Sequence, residues 1–83
     1  MDLQQEVLRL LDDVLSLEGR SATFTRDTHL LGAIPELDSM AVVSLITAFE
    51  DSFGIAIDDD DIDGDTFASV GALVDFLASK TAT

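Results

Sequence analysis

Apolar residues recur along this chain at steps of three and four, and that spacing constrains the fold more than any other feature. Leu3, Val7, Leu10, Leu11, Val14 and Leu17 line one side of a helix over residues 3–17. Val42, Leu45, Ile46, Phe49 and Phe53 do the same over 39–53, and Val70, Leu73, Val74 and Leu77 over about 69–79. Such stripes must bury against one another, since none is stable facing water. No segment shows a competing strand pattern, and no repeat is visible. The expected fold is all-α, a small four-helix bundle of three long helices and one short one with a long first loop.

Local punctuation supports the same boundaries. Asp2 complements the dipole of the first helix, and Gly19 is its expected stop. Asp38 is a good N-cap for the second helix and Gly54 its end. Phe67 is placed to staple the last helix, while Gly71 weakens it by about 1 kcal/mol relative to Ala. Residues 18–37 have no long period. Ser21, Thr23, Thr25, Asp27, Gly32 and Pro35 are turn formers there. A stretch this long needs anchors. Phe24, Leu30, Leu31, Ile34 and Leu37 are expected to provide them, with one short helical turn near Asp27–Leu31. Ile62, the one apolar residue in DDDDIDGD at 58–65, is expected to hold a short helical turn. One domain over 1–83 is expected, with its core at about 3–79 and a loose tail at 80–83.

Charge and composition remove whole classes of function. The chain has 83 residues, with 17 Asp plus Glu against 4 Lys plus Arg, a formal charge of −13. Such a surface repels phosphate backbones and anionic membranes, so no nucleic-acid partner and no membrane insertion are expected. Basic partners are favoured. Adjacent acids at Asp58–Asp61 are expected to repel, which would raise their folded pKa values. With 47% hydrophobic residues the chain is too apolar for a disordered one. There is no cysteine and one histidine, His29, so groups for nucleophilic or acid–base catalysis are few and an enzyme is not expected. The start MDLQQEV is unlike a signal peptide, and Met1 reads as a natural start. A free-standing, cytoplasmic monomer is the simplest expectation.

The informative segment is Leu37-Asp38-Ser39-Met40, which opens the second helix. A helix N-terminus offers unpaired N–H groups and a positive dipole end, which suit a phosphate ester. The residues alone are also satisfied if Asp38 or Ser39 simply caps the helix.

Size, charge, element order and this motif together resemble the acyl carrier proteins over nearly all 83 residues. Asp38-Ser39-Met40 stands where that family has Asp-Ser-Leu. Glu50-Asp51-Ser52-Phe53-Gly54-Ile55 resembles the end of its second helix, and Phe67-Ala68-Ser69-Val70 through Val74-Asp75-Phe76-Leu77 its closing segment. The resemblance implies a carrier, not an enzyme. Ser39 would bear a covalent 4′-phosphopantetheine whose terminal thiol holds acyl groups as thioesters. Asp38 would be the motif acid and cap. The partners implied are a phosphopantetheinyl transferase, an acyl-loading ligase or acyltransferase, and a downstream synthase or transferase in lipid, fatty acid or specialised metabolite synthesis. Two departures stand out. Met40 replaces the usual leucine, and Ala41 and Ser44 leave the start of the helix without acids. The motif and Ile62-Asp63-Gly64-Asp65-Thr66-Phe67 also resemble the D-alanyl carriers, which are loaded by an adenylating ligase; that is the alternative.

Met40, Val43 and Thr47 fall outside the core stripe, on a face shared with Ser44 and Asp51 and edged by Glu50. That face, Met40, Val43, Thr47, Glu50 and Asp51, is the expected partner surface, with the acids steering basic patches towards it. Asp59-x-Asp61-x-Asp63-Gly64 opens like a calcium loop, but its twelfth position is Val70 in place of the bidentate glutamate. The expectation is no specific metal and weak divalent-cation binding at Asp59, Asp61 and Asp63. A calcium-regulated module and an acidic adaptor mimicking nucleic acid are the readings from other classes; the second would not need Ser39.

Overall fold

A computed structural model describes residues 3–63 and 65–81. Three α-helices carry the three stripes: α1 over Leu3–Leu15, α2 over Ser39–Phe53 and α3 over Val70–Thr81. Two 3-10 turns, Arg20–Thr23 and Asp59–Asp61, lie in the connections. The fourth, short helix expected about Ile62 is the second of these turns, with Ile62 packed half-buried against the core.

α1 packs against both α2 and α3. Its Val7, Leu10, Leu11 and Leu15 meet Leu45 and Phe49 of α2 and Val70, Leu73, Val74 and Leu77 of α3 in one buried cluster. Val42, Ile46 and Phe53 flank it half-buried, and Phe53 stacks on Phe49 with ring centres 6.1 Å apart.

α1 stops two residues short of the expected end. Ser16 takes a left-handed conformation (φ 55°), and the Leu17 amide reaches back 3.0 Å to the Asp12 carbonyl, a Schellman closure one turn before Gly19. Leu17 is still buried, but as the residue after the cap. Gly54 (φ 64°) closes α2 as expected, with the amides of Gly54 and Ile55 both on the Glu50 carbonyl at 2.9 and 3.3 Å. Ser69 Oγ accepts from the Ala72 amide at 3.2 Å and caps α3, with buried Phe67 just ahead of it.

The long connection is anchored differently from expectation. Leu30 and Leu37 are buried and Phe24 and Ile34 half-buried, but Leu31 is 45% exposed. The turn expected near Asp27–Leu31 lies instead at Arg20–Thr23. Residues 26–31 run antiparallel to 67–71. Leu30 donates to Ala68 O at 3.0 Å and Val70 to Thr28 O at 3.0 Å, around an isolated bridge between His29 and Ser69. Backbone groups in the loop thereby find partners without regular structure, and the first amides of α3 are satisfied. Lys80 and Thr81 complete the last turn of α3 where a loose tail was expected. Asp2, with its dipole role, and tail residues Ala82 and Thr83 lie outside the described residues.

Candidate functional site at the start of α2

The approach to α2 is fixed from inside. Leu37 is buried, and its amide donates to the Ile34 carbonyl at 3.0 Å. Glu36, just before it, pairs with Arg20, whose Nε also donates to the Leu17 carbonyl at 3.2 Å. Its own backbone amide, and then the Arg20 guanidinium, hold the Glu36 carboxyl below the usual carboxylate range.

Asp38 is extended, at φ −111° and ψ −173°. Its Oδ1 accepts from the Ala41 amide at 2.8 Å and its carbonyl from the Val42 amide at 3.0 Å. The cap is therefore Asp38, not Ser39. Ser39 is the first helical residue, exposed, and its hydroxyl takes part in no hydrogen bond among the described residues. An exposed, unengaged hydroxyl at a helix mouth fits a covalent phosphate ester: it can be reached, and the helix dipole favours the charge. His29 is held at the Ser69 bridge in the loop.

Met40 is 75% and Val43 60% exposed, and Ser44, Thr47 and Asp51 are exposed with them. Glu50 does not join this face. It is half-buried, and its Oε2 accepts from the Ile57 amide at 2.9 Å, so the carboxylate secures the chain beyond α2. Glu50, expected at the edge of the face, thus has one carboxylate oxygen engaged within the fold.

Asp61 and Asp63 of the 58–65 run are engaged with neighbouring groups of the fold. Asp61 accepts from Lys80 at 2.7 Å and from the Asp58 amide at 3.2 Å. Lys80 first, and then that amide, hold the Asp61 carboxyl below the usual range, opposite to the expected rise. A cation 2.7 Å away outweighs the exposed acids Asp58 and Asp60. Asp63 Oδ1 accepts from the amides of Asp65 and Thr66 at 2.9 and 3.1 Å. Among the described residues no three His, Cys, Asp or Glu side chains converge as metal ligands. The Asp59 side chain and Gly64 of the calcium-like motif lie outside the described residues.

Sequence reasoning missed Asp12. Its carboxylate accepts from the Gly19 amide (3.1 Å), the Ser21 amide (3.3 Å) and the Ser21 hydroxyl (2.8 Å). The Ser21 hydroxyl, and then the Gly19 amide, hold the Asp12 carboxyl below its ordinary value. The only sequence signal is an acid in the last turn of α1, ahead of a Gly and a Ser.

A family profile described as a phosphopantetheine attachment site matches residues 5–77. The chain belongs to this family of carriers. The fold is also that of the solution NMR structure of a holo acyl carrier protein from Nitrosomonas europaea, at 46% identity and a TM-score of 0.91, with 100% of both chains covered. Family and fold are those of a carrier, not a catalyst, and the group such a carrier takes covalently is 4′-phosphopantetheine. No helix among the described residues of this carrier is long and apolar enough to cross a membrane.

Proposed function

We propose that this carrier, one domain over 1–83, bears its 4′-phosphopantetheine on Ser39. The observation that carries this is the division of labour at the mouth of α2: Asp38 takes the capping role and leaves the Ser39 hydroxyl exposed and unengaged. Ser39 Oγ forms the new bond to phosphorus, the donor's leaving group departs with the old bonding pair, and the hydroxyl proton passes to a base on the transferase. The terminal thiol of the arm supplies the thioester chemistry. The chain's own residues position the ester: Leu37 anchors the approach, Asp38 fixes the first turn, and Met40, Val43, Thr47 and Asp51 form the face that partners meet.

The partners are then a phosphopantetheinyl transferase, a loading ligase or acyltransferase, and a downstream synthase or transferase in the cytoplasm. The acid-free start of α2 favours a specialised lipid or metabolite pathway over general fatty acid synthesis. A D-alanyl or other aminoacyl cargo would use Ser39 in the same way and differ only in what the thiol holds. Intact mass after coexpression with a phosphopantetheinyl transferase tests the assignment. The wild type gains one phosphopantetheine and Ser39→Ala gains none; a gain on the alanine variant overturns it.

A further inference from the structure

The long connection between α1 and α2 begins and ends on one side chain, that of Arg20. This residue stands just beyond α1, flanked by Gly19 and Ser21, whose amides both donate to the Asp12 carboxylate. Its Nε donates to the Leu17 carbonyl at 3.2 Å, and its guanidinium pairs with the carboxylate of Glu36. Glu36 lies 16 residues further along the chain, in the approach to Ser39. The exit of α1 is thereby tied to the entry of α2. Glu36 itself is half-buried. Its Oε2 meets Arg20, while its Oε1 is out of water and has no hydrogen-bonding partner among the described residues. Leu37 beside it is buried, and Asp38 caps the helix, so both of the next two residues are already committed to the fold.

A carboxylate in this setting depends on its one cation. Without Arg20 it would be a charge partly out of water and uncompensated, a larger penalty than the exposed pair itself contributes. Turning out to water relieves that penalty. The ring of Pro35 fixes φ on one side, so the change of backbone angle falls on residues 36–38. Those residues deliver Ser39 to the first turn of α2. A displacement of about 1 Å at a reacting group can lower a rate about 100-fold. Resting on the assignment of Ser39 above, we propose that Arg20 is a positioning residue for the esterification of Ser39. By keeping the Glu36 carboxylate in place, it holds the entry of α2 so that Ser39 Oγ stands where it can attack the donor phosphorus. The cation does this through Glu36 and the backbone, with no part in the bond-making itself.

The test uses the full chain and the phosphopantetheinyl transferase that modifies it in coexpression. Mass gain is followed over time at several carrier concentrations, well below the Tm of each variant. Arg20→Gln removes the charge from a side chain that is 54% exposed, so the fold should survive. It should lower kcat at least about fivefold and leave KM within about twofold, because the hydroxyl is misplaced while the exposed face of α2 is unchanged. Arg20→Lys keeps a cation for Glu36 and should restore at least about half of kcat. Arg20→Gln together with Glu36→Gln leaves no stranded charge, and kcat should return to within about twofold of wild type. Arg26→Ala, which breaks the pair between the same connection and Asp75, should lower Tm and leave kcat at the wild-type value. In the unmodified Arg20→Gln chain the NMR amide shifts of Asp38, Ser39 and Met40 should move, and they should return in the double variant. Four results would overturn the proposal: a wild-type kcat in Arg20→Gln, a loss confined to KM, no rescue by either second variant, or an equal loss of kcat in Arg26→Ala. A wild type that gains no mass overturns the Ser39 assignment instead, so the two failures are distinct.

Discussion

The carbonyl oxygen of Arg26 accepts a hydrogen bond from the Gly71 amide at 2.9 Å, and a Cβ added to Gly71 would stand 3.0 Å from that same oxygen. The Arg26 guanidinium meanwhile grips Asp75, one turn along α3, through both carboxylate oxygens at 2.8 Å. The long connection is thus pressed against the start of α3 where that helix has no side chain. Gly71→Ala should therefore destabilise the protein, although alanine is the better helix former. The propensity gain of about 1 kcal/mol is set against about 1–3 kcal/mol for crowding a close contact. A net loss of about 1 kcal/mol, or roughly 4–8 °C in Tm, is expected from thermal melting. A higher Tm would show that the loop yields freely.

Ser39→Ala and Asp38→Ala should separate modification from capping. Loss of the Ser39 hydroxyl removes no hydrogen bond among the described residues, so stability should change by less than about 0.5 kcal/mol. Asp38→Ala leaves the Ala41 amide without its acceptor and should cost about 1 kcal/mol. Urea unfolding of both unmodified variants measures the difference; equal losses would mean that Ser39 shares the cap.

Asp12 makes a pH prediction with a definite sign. Its carboxyl is held below the ordinary value by Ser21 and Gly19, so the unfolded chain binds that proton more readily than the folded one. Its contribution is complete above the unfolded pKa of about 4 and is lost as pH falls through the lower folded value. Glu36 and Asp61 are shifted the same way and add to the trend. Tm should fall as pH drops below about 4. Asp12→Ala should lower Tm at neutral pH and flatten that fall. A variant with the wild-type acid profile would remove Asp12 from the explanation.

Salt acts on two opposed terms. Screening weakens the ion pairs of Arg9, Arg20, Arg26 and Lys80 and relieves repulsion among 17 acids. Exposed pairs contribute little, so repulsion should dominate. Added NaCl or magnesium should raise Tm. Lys80→Ala should lower Tm most at low salt, where loss of the Asp61 pair also adds one net negative charge. A Tm that falls with salt would mean the pairs outweigh the repulsion.

The helices, their buried stripes, the Asp38 cap and the position of Ser39 at a helix mouth could all be read from the chain alone. Each depends on residues a few positions apart, where helix geometry turns spacing directly into a face. The exposure of Met40 and Val43 followed from the same wheel. What only the tertiary structure decided depends on polar pairs with no period: Arg26 with Asp75, 49 residues apart, Asp61 with Lys80, and Asp12 with Ser21. The first and last of these pairs hold the long connection, and the Arg26 carbonyl beside the first makes Gly71 a contact point. The second reversed the shift expected of Asp61, because sequence shows which charges exist but not which of them folding brings within hydrogen-bonding reach.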